Sequence, residues 1–262
     1  MEHIHIVTTT NDNYAKHLAV MLNSLLVNKV SGNPVKIYVL YGNLFQQNKH
    51  KLNRAIKKFN VTIKFLKVNK SLFNNIKVRG FSRYLSKETY YRISLPDLLN
   101  KDVQKALYLD TDVIVTDDIT KLWNTNIDDY TIAAVKKPNF DRYKDLSIPK
   151  KANYFNAGVM LINVQRWREE DISKKVLEFI HNNPSKIQFY SQDPLNAILH
   201  GKWLKLGPEW NYTTAHLKLL KRPIHPSIIH YTGPKKPWNH GHPLQKDYFK
   251  YSYATLWEQD DD

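Results

Sequence analysis

Residues 106–115 read Ala-Leu-Tyr-Leu-Asp-Thr-Asp-Val-Ile-Val, a short apolar run interrupted by Asp110 and Asp112. The Leu, Tyr, Val and Ile residues on either side predict a buried strand rather than a helix. In an extended backbone residues i and i+2 point to the same side, so both carboxylates can reach one object. Hard oxygen ligands favour Mg²⁺ or Mn²⁺, and such an ion is well placed to hold a diphosphate. The plainer alternative is an ordinary strand-to-loop turn capped by Asp side chains.

The composition of the 262 residues is that of one globular α/β domain. Apolar residues make up 42% and aromatic residues 12%, which argues against disorder, and no segment has the ~20 apolar residues of a membrane span. The start Met1-Glu2-His3 leads directly into a strand pattern, so we expect no signal peptide. The chain has no cysteine, which excludes disulfides and thiolate chemistry and favours a cytoplasmic location.

The formal charge of +15 predicts attraction to something anionic, such as nucleic acid, an acidic membrane surface or a phosphorylated substrate. The densest lysine stretch, residues 48–59, has apolar positions at helical spacing, so its lysines are interpreted as a solvated helix face. No basic face with interleaved aromatic residues is found, so no nucleic-acid partner is expected. Peripheral contact with an anionic membrane surface stays open.

Apolar periodicity ahead of the aspartate pair predicts the order β-α-β-α-β, with strands over residues 3–7, 35–41 and 61–68. This alternation favours a mainly parallel sheet whose ligand site lies beyond the carboxyl ends of the strands. The loop from Thr8 to Tyr14 and the aspartate pair would meet at that edge. No Gly-x-Gly-x-x-Gly follows the first strand. The loop instead offers hydroxyls and amides, which suit a nucleoside base and ribose.

Three later segments add polar groups. Residues 88–95 predict a helix with Arg92 near its middle, which either reaches a phosphate or sugar hydroxyl or lies over neighbouring tyrosines. Small residues beside Asn156, inside an apolar run, allow close approach of a ligand to the backbone. A strand carries His230 into a Gly-Pro-Lys-Lys loop, which brings an imidazole and two cations together. A zinc site is a weaker alternative because its histidines lack regular spacing. Those histidines are His225, His230, His240 and His242.

Taken together, these segments resemble glycosyltransferase family 8, the retaining nucleotide-sugar transferases that include bacterial lipopolysaccharide galactosyl- and glucosyltransferases and glycogenin. Six blocks in the right order carry the resemblance over nearly the whole chain: residues 9–15, 89–92, 108–112, 154–158, 192–196 and 230–238. The resemblance implies a single GT-A domain with a Rossmann-like, mainly parallel central sheet flanked by helices. It also implies a UDP-sugar donor and a bound Mn²⁺, with Mg²⁺ as the alternative.

The resemblance further implies roles for individual residues. The metal ligands would be Asp110, Asp112 and His230, completed by the UDP diphosphate, in agreement with the interpretation of the residues themselves. Lys236 and the Gly233 backbone would hold the same diphosphate. Uridine would lie against Tyr14. The other donor-binding residues implied are Thr9, Thr10, Asn11, Asn13, Arg92, Thr111 and Asn156. The catalytic residues implied are Asp110, Asp112, Gln192 and Asp193, the last two beside the sugar.

The chain departs from the family pattern in three places. Asn11 stands where the lipopolysaccharide enzymes often have a carboxylate. Ser191 replaces an Asp that commonly faces the sugar hydroxyls, so the choice between glucose and galactose stays open. Lys136 and Lys137 follow a strand after which the family often has an Asp near the acceptor, and this suggests an acceptor bearing phosphate or carboxylate.

We therefore predict a metal-dependent retaining transferase that moves glucose or galactose from a UDP-sugar to a saccharide or lipid-linked, anionic or neutral, acceptor. In the single domain 1–262, residues 1–115 would form the nucleotide-binding half. Residues 116–262 would form the acceptor and sugar half with a closing C-terminal segment. Gln192 is a weak nucleophile, and Asp193 is one only if it faces the anomeric carbon, so front-face attack assisted by the leaving diphosphate is favoured. The alternative is a UDP-sugar-binding protein or a donor hydrolase without efficient transfer.

Overall fold

Strands and helices alternate along the chain, and the strands build two sheets. The computed structural model describes residues 2–74, 76, 87–150, 152–220, 224–239, 241–255 and 257. The strands are β1 (Ile4–Thr10), β2 (Val35–Tyr41), β3 (Ile63–Lys67), β4 (Lys105–Leu109), β5 (Val113–Val115), β6 (Ile132–Lys136), β7 (Phe155–Asn163), β8 (Trp203–Leu206), β9 (Tyr212–Thr213) and β10 (Ile228–His230). The α-helices are α1 (Ala15–Asn28), α2 (Gln46–Ile56), α3 (Leu95–Leu98), α4 (Thr120–Trp123), α5 (Tyr143–Leu146), α6 (Val164–Glu169), α7 (Ile172–Asn182), α8 (Gln192–Leu199), α9 (Thr214–Leu219) and α10 (Gln245–Ser252).

The large sheet has seven strands in the order β3-β2-β1-β4-β7-β6-β8. Neighbouring strands are parallel except around β7, which runs antiparallel to both β4 and β6. The strand order reverses at β1, because β2 and β3 lie on one side of it and β4 on the other. A ligand site is expected beyond the carboxyl ends of strands at such a point. The prediction of a mainly parallel sheet is confirmed.

Helices cover both faces of this sheet, so its central strands are apolar on both sides. Along β4, Leu107 and Leu109 pack into the core cluster that contains Leu18 and Leu22 of α1. Ala106 and Tyr108 alternate with them and pack into the cluster on the other face. Side chains of β4 are therefore buried on both faces of the sheet. The strand ends at Leu109, so residue 110 lies at the carboxyl edge.

Residues 106–115 form two strands rather than one. β4 ends at Leu109, and β5 belongs to a separate sheet with the order β5-β10-β9. Asp110, Thr111 and Asp112 form the turn between the two sheets. The prediction of one extended strand carrying both carboxylates is wrong, because the apolar pattern is the same whether a run serves one sheet or two. The antiparallel pairing of β10 with β5 places His230 opposite Val113, next to Asp112.

Three further sequence predictions concern a helix around Arg92, a histidine site and membrane spans. Residues Lys87–Ser94 are helical, as predicted around Arg92, but as a 3-10 helix that continues into α3. His240, one of the histidines of the zinc alternative, lies outside the described residues. Among the helices that are described, none is long and apolar enough to cross a membrane.

Candidate active site

Two aspartates and one histidine bring their ligand atoms together at the carboxyl edge of the large sheet. One ligand atom from each of Asp110, Asp112 and His230 lies within 4.8 Å of the others. His230 Nε2 is 3.4 Å from Asp112 Oδ1 and 3.8 Å from Asp110 Oδ2. Thr111 is partly exposed in the turn between the aspartates. We call these three residues the carboxylate–histidine cluster.

Each aspartate of the cluster has one oxygen bound to a protein cation and one oxygen turned towards His230. Asp110 Oδ1 accepts a hydrogen bond from Arg92 Nη2 at 2.8 Å. Asp112 Oδ2 accepts one from Lys236 Nζ at 2.5 Å. The other two oxygens, Asp110 Oδ2 and Asp112 Oδ1, are the atoms closest to the imidazole. Two carboxylates thus face two cations, so the cluster together with Arg92 and Lys236 has no net charge while the imidazole is neutral.

Burial and these ion pairs together set the protonation states around the cluster. Burial opposes ionisation of Asp112, but Lys236 outweighs it and holds the pKa of Asp112 well below its usual range. Burial likewise opposes the positive charge of Arg92, and Asp110 outweighs it, so the pKa of Arg92 is raised. Burial raises the pKa of Tyr108, whose phenol therefore keeps its proton and donates it to Asp110 Oδ1 at 2.8 Å.

A chain of amides fixes which nitrogen of His230 faces the aspartates. The Gly158 N–H, which can only donate, donates to Asn156 Oδ1 at 2.9 Å. Asn211 Nδ2 donates to the same oxygen at 3.0 Å, so Asn211 Oδ1 is turned towards His230 Nδ1, 2.8 Å away. Nδ1 therefore carries the proton of the neutral ring, and the lone pair of Nε2 faces the cluster.

Sequence reasoning missed Asn211. It is fully buried, and it lies 55 positions from Asn156 and 19 from His230 along the chain. The one hint in the sequence is an amide between two aromatic residues, which predicts a buried hydrogen bond but no particular partner.

Gly158 leaves the space that the cluster occupies. A Cβ atom at this position would lie 2.1 Å from His230 Cε1 and 2.7 Å from Asp110 Oδ2. The sequence suggested that the small residues here admit a ligand to the backbone. At Gly158 the space is filled instead by the cluster's own side chains.

The donor set suits a divalent cation. Two carboxylate oxygens and one imidazole nitrogen are ligands that Mn²⁺ accepts, and Mg²⁺ favours the oxygens among them. Each of the three residues has a partner behind it: Arg92 for Asp110, Lys236 for Asp112 and Asn211 for His230. Such partners orient side chains as the outer-shell contacts of metal sites do.

The chain after β10 folds back over the cluster. Gly233 has φ +89°, in the left-handed region that favours glycine, and turns the chain there. Lys236 follows and donates to Tyr231 O at 2.7 Å as well as to Asp112. Burial disfavours the charge of Lys236, but Asp112 outweighs it and raises the pKa of the lysine.

Trp238 anchors this returning segment to α1. Its ring stacks on His17, with centroids 3.4 Å apart and planes 11° apart. Tyr14 meets Trp238 edge-on at 6.0 Å. Burial raises the pKa of Tyr14, with Lys236 opposing this shift and Asp112 adding to it. The Tyr14 ring therefore lies beside the returning segment that carries Lys236 and Trp238.

Comparison with known proteins decides the family. Residues 5–241 match the model described as Glycosyl transferase family 8. The chain belongs to glycosyltransferase family 8. General stress protein A of Bacillus subtilis (strain 168) is 37% identical over 275 residues, which cover 98% of this chain and 95% of that protein. Glycosyltransferase GlyA of Streptococcus pneumoniae serotype 4 is 26% identical over 257 residues, covering 96% of this chain and 34% of GlyA.

A solved structure supports the same assignment. The crystal structure of galactosyltransferase LgtC in complex with donor and acceptor sugar analogs matches with a TM-score of 0.88 and 25% sequence identity, and the match covers 96% of each chain. The fold is therefore GT-A, and the protein is a glycosyltransferase, an enzyme that requires a sugar donor and an acceptor.

The end of β1 and the turn after it, which are predicted to contact the nucleoside, use part of their polar groups within the protein. Thr9 Oγ1 is 3.0 Å from Tyr108 Oη, and Thr10 Oγ1 donates to Asn11 O at 3.2 Å. Both threonines are buried. Asn11 Oδ1 accepts a backbone N–H of the following turn at 3.2 Å, and Asn13 is exposed. Contact of these residues with uridine stays a prediction.

Arg92 lies behind Asp110, and its predicted contact with the donor stays a prediction. Its Nε donates to Thr89 O at 3.0 Å, Nη1 to Ala157 O at 2.5 Å and Nη2 to Asp110. The guanidinium group lies 4.6 Å from the centre of the Tyr108 ring, and the residue is only 4% exposed. Arg92 therefore positions Asp110 and neutralises its charge.

Asp193 is fully buried in the first turn of α8, so its predicted catalytic role stays a prediction that its burial does not favour. Its Oδ1 accepts from Tyr154 Oη at 2.7 Å. Its Oδ2 accepts the backbone N–H groups of Gln188 and Phe189 at 2.7 and 2.8 Å. Arg142 Nε lies 3.5 Å from Oδ1. Both oxygens are bonded within the protein, so Asp193 helps to hold the start of the helix in place.

Gln192 links this helix to the cluster. Its Oε1 accepts the Ala157 N–H at 3.1 Å, and its Nε2 donates to Tyr154 Oη at 3.0 Å. The side chain keeps partial exposure, so its predicted place beside the sugar stays open. Ser191, just before it, is fully buried, and its Oγ has no hydrogen-bond partner among the described residues.

Proposed function

We propose that this glycosyltransferase moves a hexose, glucose or galactose, from a UDP-sugar to a saccharide or lipid-linked acceptor, with retention of configuration and with bound Mn²⁺ or Mg²⁺. The observation that carries the proposal is that each of the two carboxylates has only one of its oxygens paired with a protein cation. Asp110 and Asp112 each keep one oxygen towards His230 Nε2, while a protein cation holds the other. This arrangement suits an ion that a sugar diphosphate would share.

Lys236 and Gly233 would hold the diphosphate. A lysine ammonium has three donors, of which Asp112 Oδ2 and Tyr231 O receive two, so the third can bind a phosphate oxygen. Tyr14 would lie against the uracil. When bound, the divalent ion would offset the negative charge that develops on the leaving phosphate. The remaining uridine contacts would come from Thr9, Thr10, Asn11, Asn13 and Thr111.

Gln192 and Asn156 would border the transferred sugar. Front-face attack, in which the leaving diphosphate assists the incoming hydroxyl, is the route to retention that we favour. The amide of Gln192 is weakly basic and a poor nucleophile. Asp193 is buried and both of its oxygens are hydrogen-bonded, which supports this route over a glycosyl-enzyme intermediate on that residue.

The balanced charge of the cluster predicts that metal and nucleotide bind together. Without nucleotide, an arriving cation meets carboxylates that Arg92 and Lys236 already neutralise. A diphosphate adds negative charge on the open side of the ion. By linkage, UDP should tighten Mn²⁺ binding by the same factor by which Mn²⁺ tightens UDP binding.

Calorimetric titration with UDP, in Mn²⁺ and in excess chelator, tests the donor site. We expect binding that depends on the metal, and equally tight binding after chelation would contradict the proposal. Incubation with UDP-glucose and with UDP-galactose, with and without an acceptor extract, then separates transfer from its alternatives. Sugar on a product indicates a transferase, free hexose a donor hydrolase, and neither a UDP-sugar-binding protein.

A further inference from the structure

Lys137 lies at the carboxyl edge of the large sheet, two strands beyond β4 and on the opposite side from β1. It follows β6, which ends at the same edge as β4 because β7 is antiparallel to both. Its N–H donates to Tyr154 O at 2.8 Å. Tyr154 Oη accepts from Gln192, and Gln192 accepts the Ala157 N–H. A short series of hydrogen bonds therefore connects Lys137 with the backbone beside the cluster.

The ammonium group of Lys137 lies against two phenyl rings. Nζ is 3.5 Å from the centre of the Phe140 ring and 4.2 Å from that of Phe189. Burial lowers the pKa of Lys137 to about 8, with Asp193 opposing this shift and Arg142 adding to it. Ring faces attract a cation, but they are weak substitutes for the oxygen acceptors that an ammonium group has in water.

The nearby carboxylates pair with Arg142 rather than with Lys137. Arg142 Nε is 3.5 Å from Asp193 Oδ1, and Arg142 Nη2 is 3.5 Å from Asp145 Oδ2. Asp193 is fully buried and already accepts three other hydrogen bonds. Within the part of the chain that the structure describes, Lys137 has no ion-pair partner. It is thus a half-buried cation that lies against aromatic rings and is not paired with a carboxylate.

We propose that Lys137 binds an anionic group of the acceptor, a carboxylate or a phosphate, so that the enzyme glycosylates an acidic saccharide. This rests on the proposed function, in which Gln192 borders the transferred sugar that the acceptor attacks. An anionic group would give the ammonium the oxygen acceptor that the phenyl rings do not supply. A neutral acceptor would leave that donor without a charged partner.

Matched saccharides test the proposal. The probes are glucose, glucuronate and glucose 6-phosphate, and the corresponding galactose series. Binding of each is measured by calorimetry in the presence of UDP and Mn²⁺. For the wild type we expect at least one anionic probe to bind about tenfold to a hundredfold more tightly than its neutral counterpart. Lys137→Met, which keeps an unbranched chain between the rings, should abolish this preference, and Lys137→Arg should keep part of it.

Lys144→Met is the matched control, because Lys144 is an exposed lysine of α5 in the same segment. It should bind all probes as the wild type does. A preference for anions that survives Lys137→Met overturns the proposal, as does equal or undetectable binding of neutral and anionic probes by the wild type. A preference for the uronates alone assigns a carboxylate, and one for the sugar phosphates alone assigns a phosphate. Metal-dependent UDP binding in the same samples reports separately on the proposed function.

Discussion

Asp112 and Asp193 are both poorly exposed carboxylates beside a protein cation, but their oxygens are used differently. Asp112 bonds Lys236 through Oδ2 and keeps Oδ1 towards His230 at 3.4 Å. Asp193 has both oxygens bonded, to Tyr154 and to two backbone N–H groups. Desolvating a carboxylate is costly, so a buried one is normally satisfied completely by its neighbours. A poorly exposed carboxylate that keeps one oxygen available is therefore a candidate to bind a cation. One whose two oxygens are both hydrogen-bonded is a candidate for a structural role.

The largest expected effect follows from removing the carboxylate of Asp112, which has one oxygen available to a cation. Asp112→Ala should lower kcat/KM by about a thousandfold or more, because charge stabilisation by a bound ion amounts to several kcal/mol. It should also remove Mn²⁺-dependent UDP binding. Turnover and calorimetry measure both effects, and Asp129→Asn, at an exposed position, is the control.

Asp193→Asn should have the opposite profile. It removes a buried, hydrogen-bonded negative charge and leaves Arg142 without this partner. We therefore expect the free energy of unfolding to fall by about 3–5 kcal/mol. Mn²⁺-dependent UDP binding by the folded fraction should stay at the wild-type level. Denaturant unfolding and calorimetry on the same sample test this. Unchanged stability together with lost turnover would restore Asp193 to the catalytic residues and remove the distinction between the two carboxylates.

Local patterns in the sequence were sufficient to predict the first strands and helices and the aspartate pair, whereas His230 was assigned to the same site only through the resemblance to the family. The sequence could not show which atom each oxygen bonds. Asp110 and Asp193 stand in equally specific blocks, yet one faces an imidazole and the other backbone N–H groups. Such partners depend on how separate elements pack. Asn211 was missed for the same reason, since its contacts join residues that are distant along the chain.

Gly158→Ala tests whether the cluster tolerates displacement. The new Cβ would overlap His230 and Asp110, so we expect loss of Mn²⁺ binding and a decrease of about 1–3 kcal/mol in the free energy of unfolding. Gly42→Ala is the matched control, because its Cβ would lie 2.2 Å from Tyr91 Oη, away from the cluster. The control should lose stability but retain Mn²⁺ binding, as measured by electron paramagnetic resonance of the ion. Retained binding in both variants would mean that the open oxygens are not ligands.

Asn211→Ala should have a smaller effect, since it removes an outer partner and keeps all three ligand atoms. We expect Mn²⁺ affinity in the presence of UDP to fall about tenfold to a hundredfold, because His230 loses the acceptor that fixes its tautomer. Asn211→Asp keeps an oxygen for His230 Nδ1–H and should recover much of the affinity. Thermal unfolding of the same variants distinguishes a specific loss of Mn²⁺ affinity from a loss of overall stability. An affinity in Asn211→Ala equal to that of the wild type would show that the amide chain does not position the ligand.

The same comparison applies to two histidines, His230 of the cluster and His17 under Trp238. The smallest effect that we expect is the pH dependence of stability that His17 causes. His230 faces the cluster through Nε2, whereas the His17 ring is covered by Trp238 and its Nδ1 lies 2.7 Å from Tyr248 Oη. Burial lowers the pKa of His17 from 6.5 to about 4, with Lys16 adding to the shift and Asp112 opposing it. Between these values the unfolded chain binds more protons than the folded one. The free energy of unfolding should therefore decrease as the pH falls from 6.5 towards 4 and level off below that range.

The contribution of His17 can be at most about 1.4 kcal/mol per pH unit within this window. His17→Phe keeps a ring against Trp238 and removes the titrating group, so its free energy of unfolding should depend less on pH between 7 and 5 than that of the wild type. Above pH 7 the two pH profiles should run parallel, because the imidazole is neutral in both the folded and the unfolded chain. The difference between the profiles isolates His17 from the carboxylates, which titrate in both proteins. Equal pH dependence would mean that the folded protein can accommodate a charged imidazole beside Trp238, and that the contact joining α1 to the returning segment is open to water.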